Sequence, residues 1–248
     1  MSRYDFAARR LYVEAPLSAG ARLELDRARA NYLLNVLRLG AGEIVLIFNG
    51  RDGEWRARLE PDGRKSGALV AESLARPQPP ARDLDYVFAP LKHARLDYMA
   101  QKAVEMGATA LRPVVTRRTQ TARVNLERLR ANAIEAAEQC GVLALPAVAG
   151  EVRFDRWLAD FPRGRLLAFC DEDAAGSPLE ALRAIAPGAP VSVLIGPEGG
   201  FDPAERAALL SLPHVLRLSL GPRILRADTA AVAALALVQA ALGDWRDE

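Results

Sequence analysis

The stretch Val191-Ser192-Val193-Leu194-Ile195-Gly196-Pro197-Glu198-Gly199-Gly200-Phe201 decides the fold. Apart from Ser192, its first five residues are apolar, and the run then stops in a loop of glycine and proline. A run this short and this apolar fits a strand buried on both faces, the habit of parallel sheets. Leu166 to Cys170 is a second such run, Val215 to Leu218 a third, and Leu84 to Ala89 and Leu111 to Val115 read the same way. Helical patterns separate them. Leu96, Met99, Ala103 and Met106 share a face that Gly107 ends. Asn125 is placed to cap a helix whose apolar face is Leu126, Leu129, Ala133, Ala137 and Cys140. Asp202-Pro203-Ala204-Glu205 has acid at the cap, proline at the first position and glutamate three on from the cap. Thr229 to Leu242 is apolar on nearly every side, so it should lie between two layers or against another subunit. Strands alternating with helices predict an α/β domain with a mainly parallel sheet.

Upstream the pattern differs. Arg10–Glu14, Glu43–Phe48, Glu54–Leu59 and Ser66–Ala71 read as short strands, with Asn49-Gly50 as a turn between the second and third. One helix interrupts them, with Ala30, Leu33, Leu34 and Leu37 on its apolar face. Arg76-Pro77-Gln78-Pro79-Pro80 reads as a stiff linker, because proline fixes φ and lacks the N–H that strands and helices use. The predicted division is therefore a small β module over 1–75, a linker over 76–81 and the α/β domain over 82–248.

Several function classes drop out on composition. Two cysteines and two histidines among 248 residues leave no disulfide framework, no cysteine zinc site and no basis for a histidine metal centre or triad. No apolar run reaches the roughly 18 residues of a membrane span, and the first residues lack the apolar core of a secretory signal. A cytoplasmic protein without a membrane is expected. The net charge of +2 conceals an asymmetry: residues 1–150 carry 23 basic and 17 acidic side chains, whereas the remainder is net acidic. The segment 112–130 is densest, with six arginines against Glu127. A polyanion docked there and a solvated charged face both fit that charge.

Two loops follow buried strands late in the chain. Gly196 to Phe201 is the first, and Leu218-Ser219-Leu220-Gly221-Pro222-Arg223-Ile224-Leu225-Arg226 the second. In open α/β sheets ligands bind beyond the carboxyl ends of the strands, where glycine lets a ligand approach the backbone. Neither loop is a nucleotide-phosphate loop, a dinucleotide fingerprint or a nucleophile elbow.

Taken together, these two loops, with Glu205 after the first and Asp228-Thr229-Ala230-Ala231 after the second, resemble the RsmE family of 16S ribosomal RNA uridine-N3 methyltransferases. That family lies in the SPOUT, or trefoil-knotted, superfamily. Gln101-Lys102-Ala103-Val104-Glu105-Met106-Gly107 and Ala136-Ala137-Glu138-Gln139-Cys140 are similar to further family stretches. Val36-Leu37-Arg38-Leu39 and Phe48-Asn49-Gly50 resemble its PUA-like module, although Asn31-Tyr32 stand where the family often has histidine. The resemblance implies a C-terminal SPOUT α/β trefoil-knot domain with a smaller N-terminal PUA-like β-barrel, S-adenosyl-L-methionine as cofactor, 16S rRNA in the 30S subunit as substrate, and a homodimer through the knotted domain. Cofactor-binding residues expected on that basis are Gly196, Gly200, Leu218, Leu220, Gly221, Ile224, Leu225 and Thr229.

Uridine N3 carries a proton and attacks only once that proton leaves, so the site needs a base or donors that stabilise the uracil anion. Arg226 is the expected donor, with Glu198 and Glu138 as candidate bases. Arg226 also fits a plain ion pair with Asp228. Arg10, Arg38, Arg118, Arg123 and Arg223 are the expected RNA contacts. A knotted methyltransferase with another target or a ribose 2′-hydroxyl acceptor, and a non-catalytic ribosome-assembly protein, remain alternatives at this point.

Overall fold

A computed structural model describes residues 8–63, 65–80, 82–121 and 123–246. The chain divides into two compact units, 1–80 with 137–145, and 81–136 with 146–248. The division is thus not linear in sequence: residues 137–145, expected in the larger domain, group with the smaller.

The first unit holds β1 (Arg10–Tyr12), β2 (Arg22–Glu24), α1 (Arg27–Ala30, continued by a π-helical turn over Asn31–Val36), β3 (Ile44–Phe48), β4 (Glu54–Pro61) and β5 (Gly67–Arg76). They form a five-stranded sheet in the order β1-β3-β4-β5-β2, antiparallel except for the β1–β3 pair. Alternation along the strands sends Val45, Ile47, Ala57, Leu59, Leu69 and Ala71 to one core, against which Leu33 packs from the π turn. β5 runs to Arg76, beyond the expected strand end at Ala71, because its last residue carries a polar anchor. Fully buried Glu54 accepts from Arg10 Nε at 3.0 Å and from Arg76 Nε at 2.9 Å. Arg76 also donates to the Gly141 carbonyl at 2.9 Å, and the Tyr12 amide donates to Glu138 at 2.8 Å. These bonds hold the 137–145 segment to the sheet.

The second unit contains β6 (Leu84–Phe88), α2 (His93–Glu105), β7 (Ala110–Val115), α3 (Leu126–Cys140, its last turn in the first unit), β8 (Ala147–Val148), β9 (Val152–Arg153), α4 (Phe154–Ala159), β10 (Leu166–Cys170), α5 (Pro178–Arg183), β11 (Val191–Ile195), α6 (Pro203–Leu210), β12 (Val215–Leu218) and α7 (Ala227–Leu242). Its sheet runs β12-β10-β11-β6-β7-β8, with β9 also on β7, and every pairing is parallel. Val87, Val114, Leu167, Phe169 and Leu194 face one core with Phe154 and Trp157 of α4 and Leu209 of α6. α7 packs against α2, α5 and β11. Buried Gln239 of α7 donates to the Met106 carbonyl at 2.7 Å, tying α7 to the end of α2. Leu235 is buried within the single chain, so the apolar character of α7 is largely spent inside the unit. Cys140 is exposed rather than part of an apolar face. Among the described residues no helix is long and apolar enough to cross a membrane.

The Glu54 carboxylate compensates two guanidinium groups, one of them with only 1% of its side chain exposed. Breaking a buried pair leaves an uncompensated charge. Glu54→Ala is expected to destabilise the first unit by about 3–5 kcal/mol, measured by urea unfolding.

Candidate active site

Parallel strands set all their carboxyl ends along one edge, and the loops after β10, β11 and β12 meet the candidate residues there. The β11 loop begins at Gly196. A Cβ at that position would lie 2.6 Å from a Phe201 ring carbon. Phe201, which stands edge-on to Phe169 with centroids 5.4 Å apart, leaves room only for glycine here. Gly200 closes the turn, its amide donating to Pro197 at 2.9 Å. Asp202 and Glu205 form the capping box of α6. Buried Glu205 also accepts from the Arg117 amide at 2.8 Å, and Arg118 donates to the Gly199 carbonyl at 2.7 Å. The 116–121 loop is thereby fastened to the 196–205 loop. Leu91, Lys92, Arg118, Gln120, Pro197 and Glu198 line a small, partly open cleft. Exposed Glu198 is ion-paired with Arg95 of α2.

The β12 loop is more open. Gly221 has φ +96°, a conformation that L side chains rarely adopt, and no heavy atom stands within 4 Å of where its Cβ would be. Leu218 is fully buried and Leu220 and Leu225 half-buried, but Ile224, expected as an apolar wall, is 97% exposed. Arg223 and Arg226 are exposed. Arg226 occupies the cap position of α7 without a side-chain bond to the helix. The alternative ion pair with Asp228 does not form; that carboxylate accepts from the Thr229 amide at 2.8 Å. The β6 phenol of Tyr86 is fully buried with no hydrogen-bond partner among the described residues. Burial, with smaller contributions from Cys170 and Asp228, raises it well above the ordinary tyrosine value. Burial alone pushes the Cys170 thiol up to about 12, so it stays protonated at neutral pH.

The β10 loop carries three adjacent acids, Asp171-Glu172-Asp173. Asp171 is buried and accepts from Arg206 at 2.9 Å and Arg217 at 2.7 Å. Burial would raise its carboxyl, but the hydrogen bonds from Arg206 and Arg217 outweigh it and hold the group below the usual aspartate value.

One expected site residue is corrected: Arg10 is not available to RNA, because its guanidinium is buried on Glu54. The Glu138 carboxylate accepts from the Tyr12 amide within the first unit. Three of the six arginines in the dense segment are ion-paired: Arg112 with Asp85, Arg117 with Asp202 and Arg128 with Asp97. Arg123 and Arg38 remain exposed. Sequence reading missed the Tyr86 phenol, since a tyrosine inside a strand looks like any core aromatic.

Residues 77–239 match the family model of an RNA methyltransferase domain, and residues 25–71 that of an RNA methyltransferase PUA domain. The chain is 31% identical to ribosomal RNA small subunit methyltransferase E of Rickettsia conorii, over 93% of this chain and 94% of the relative. It is likewise 31% identical to the Synechocystis protein of that name, over 95% and 78%. Among solved structures, the Neisseria gonorrhoeae ribosomal RNA small subunit methyltransferase E bound to S-adenosyl methionine superposes with TM-score 0.83 at 27% identity, covering 94% of this chain and 97% of that one. A Legionella pneumophila methyltransferase in complex with the same cofactor gives 0.81 at 28%, covering 94% and 98%.

Two outcomes follow from the packing. Gly196→Ala should cost about 1–3 kcal/mol through the Phe201 ring, and Phe201→Leu in the same chain should recover part of that loss in thermal unfolding. Asp171 has a depressed folded value, so its stabilisation is full above the unfolded value of about 3.9 and is lost as pH falls through the folded one. Asp171→Asn should therefore be less stable than the parent chain at pH 7, by about 1–3 kcal/mol. The gap should narrow below about pH 4 in a pH series of unfolding midpoints.

Proposed function

The chain belongs to the ribosomal RNA small subunit methyltransferase E family, and from that premise we propose that it transfers a methyl group from S-adenosylmethionine to N3 of a uridine in 16S rRNA. The observation that carries the reading is the open Gly221 loop at the carboxyl edge of a parallel sheet, in a chain both of whose domain models are those of RNA methyltransferases.

The residues present fit the cofactor. An adenosine group needs backbone donors and acceptors with apolar walls. The Gly221 backbone lies clear, Leu218, Leu220 and Leu225 supply apolar surface, and the Tyr86 phenol is a buried polar atom that no described residue satisfies. Gly200 and Thr229, at the two loop ends, complete the set that would hold it. When bound, the cofactor supplies an electrophilic methyl group.

The chain's own task is to prepare the nucleophile. Arg226, exposed and free of Asp228, donates to a uracil carbonyl oxygen and stabilises the negative charge that appears as N3 loses its proton. Arg223 is the second donor on that loop. Glu198, ion-paired with Arg95, is the exposed carboxylate that takes the proton. Arg118, Arg123 and Arg38 contact phosphates. The 1–75 module carries RNA affinity and the 82–248 domain the chemistry. In this reading the chain threads as a trefoil knot and pairs as a homodimer over the half-exposed α7 face of Val232, Ala233 and Ala236. Its substrate is the 30S subunit, and so its work is cytoplasmic.

The direct test is incubation with labelled S-adenosylmethionine and 30S subunits lacking the modification, followed by mapping of the methylated nucleotide. Label at uridine N3 is the expected result; label on a ribose hydroxyl, or none despite cofactor binding, overturns it. Arg226→Ala should remain folded and bind cofactor, with methyl transfer slowed about 100-fold, the loss typical of one oxyanion donor.

A further inference from the structure

The helix that precedes Arg38 departs from regular geometry twice. Asn31–Val36 is a π-helical turn, with the Leu37 amide bonded to the Tyr32 carbonyl at 2.9 Å. Such insertions gather at functional sites because they displace side chains from the α-helical register. Arg38, which follows, has φ +57° and is the one non-glycine residue with positive φ among those described. Glycine or asparagine ordinarily ends a helix in this conformation, because a Cβ there meets the following carbonyl. Arginine therefore carries a steric cost that glycine would not, which makes its side chain the reason for the position.

The two irregularities expose one face. Leu33 is buried and Leu34 and Leu37 pack on the core, while Asn31, Tyr32, Asn35, Val36 and Arg38 face solvent. Tyr32 is 43% and Val36 61% exposed, among the few large apolar side chains left open. Asn35 Nδ2 donates to Asn31 Oδ1 at 3.1 Å, which fixes the Asn31 carboxamide and leaves its own N–H₂ able to donate. Arg38 has no acid paired with it among the described residues.

We propose that this face is a stacking platform for one unpaired RNA nucleotide: the Tyr32 ring takes the base, Val36 its edge, Asn31 a base acceptor, and Arg38 the adjoining phosphate. The inference deepens the RNA reading above and rests on it for the partner. An exposed aromatic ring and an exposed guanidinium on one short segment are the groups by which single strands are held, whereas a duplex offers no exposed base face. The π turn belongs to the segment matched by the RNA methyltransferase PUA model.

The test uses the full chain and two labelled probes in fluorescence anisotropy, a single-stranded oligouridine of about ten nucleotides and a fully paired RNA hairpin, with methyl transfer to 30S subunits measured in parallel. Tyr32→Ala should weaken oligouridine binding about fivefold or more, while Tyr32→Phe keeps it. The hairpin should respond little. Arg38→Gly should make the log–log salt dependence shallower by roughly one unit while leaving the thermal midpoint equal or higher, since the backbone is relieved. On 30S subunits both changes should raise KM with kcat preserved. Unchanged affinity and KM in Tyr32→Ala and Arg38→Gly, with the parent chain active, overturn the platform and leave the methyltransferase reading intact. Loss of oligouridine affinity in Tyr32→Ala from a parent chain that methylates no rRNA supports the platform and sinks the activity instead. A parent chain that binds neither probe overturns the platform.

Discussion

Every strand of the larger sheet runs in the same direction, and that constraint organises the molecule. A parallel ladder requires a crossover between strands, so helices pack on the sheet and the strands are largely apolar. The loops at the strand ends take up much of the polar work. At the carboxyl edge the chain has three consecutive tasks for three loops. After β10 it buries Asp171 on two arginines; after β11 it closes on Phe201; after β12 it opens at Gly221. Two of these loops are locked by contacts of their own, and the third is left open at its glycine.

Arginine serves two separate purposes here. Much of it is structural: Arg10 and Arg76 on Glu54, Arg165 on Asp85 and Ser192, Arg206 and Arg217 on Asp171. Its fork of donors satisfies a carboxylate and a carbonyl together, as Arg76 does with Glu54 and Gly141. A count of positive charge along the chain therefore overstates the surface offered to a polyanion. What separates the two uses is whether an acid lies within reach, and that is a matter of folding rather than of composition.

Legibility followed the same line. Strands Leu166–Cys170, Val191–Ile195 and Val215–Leu218 are found as read, because continuous apolar runs between turn residues have few other solutions. The Asn125 cap forms, its side chain accepting from the Arg128 amide at 3.0 Å, and so does the Asp202 capping box. Local chemistry determines these. The short helices Phe154–Ala159 and Pro178–Arg183 and strand Arg22–Glu24 went unread, since one or two turns carry too little periodicity to stand out. At the site, the loops were legible from glycine placement. The partners of Arg10, Glu138 and Asp171 were not, because each lies at least 35 residues away in sequence. Ile224 illustrates the remaining gap: an apolar residue in an apolar motif, found almost wholly in solvent.

Two left-handed positions make the last distinction. Gly221 and Arg38 each require positive φ, at +96° and +57°. At Gly221 the chain uses the residue that adopts this conformation freely, and the space beside it stays empty. That is the arrangement expected where backbone itself must meet a ligand. At Arg38 the chain uses a residue for which the conformation is costly, at the end of a helix already distorted by a π turn. Stability alone would favour glycine there. The first position is read through what is missing from it and the second through what is retained, and the two belong to different units of the chain. Chemistry at one and recognition at the other is the division of labour that these opposite choices of residue describe.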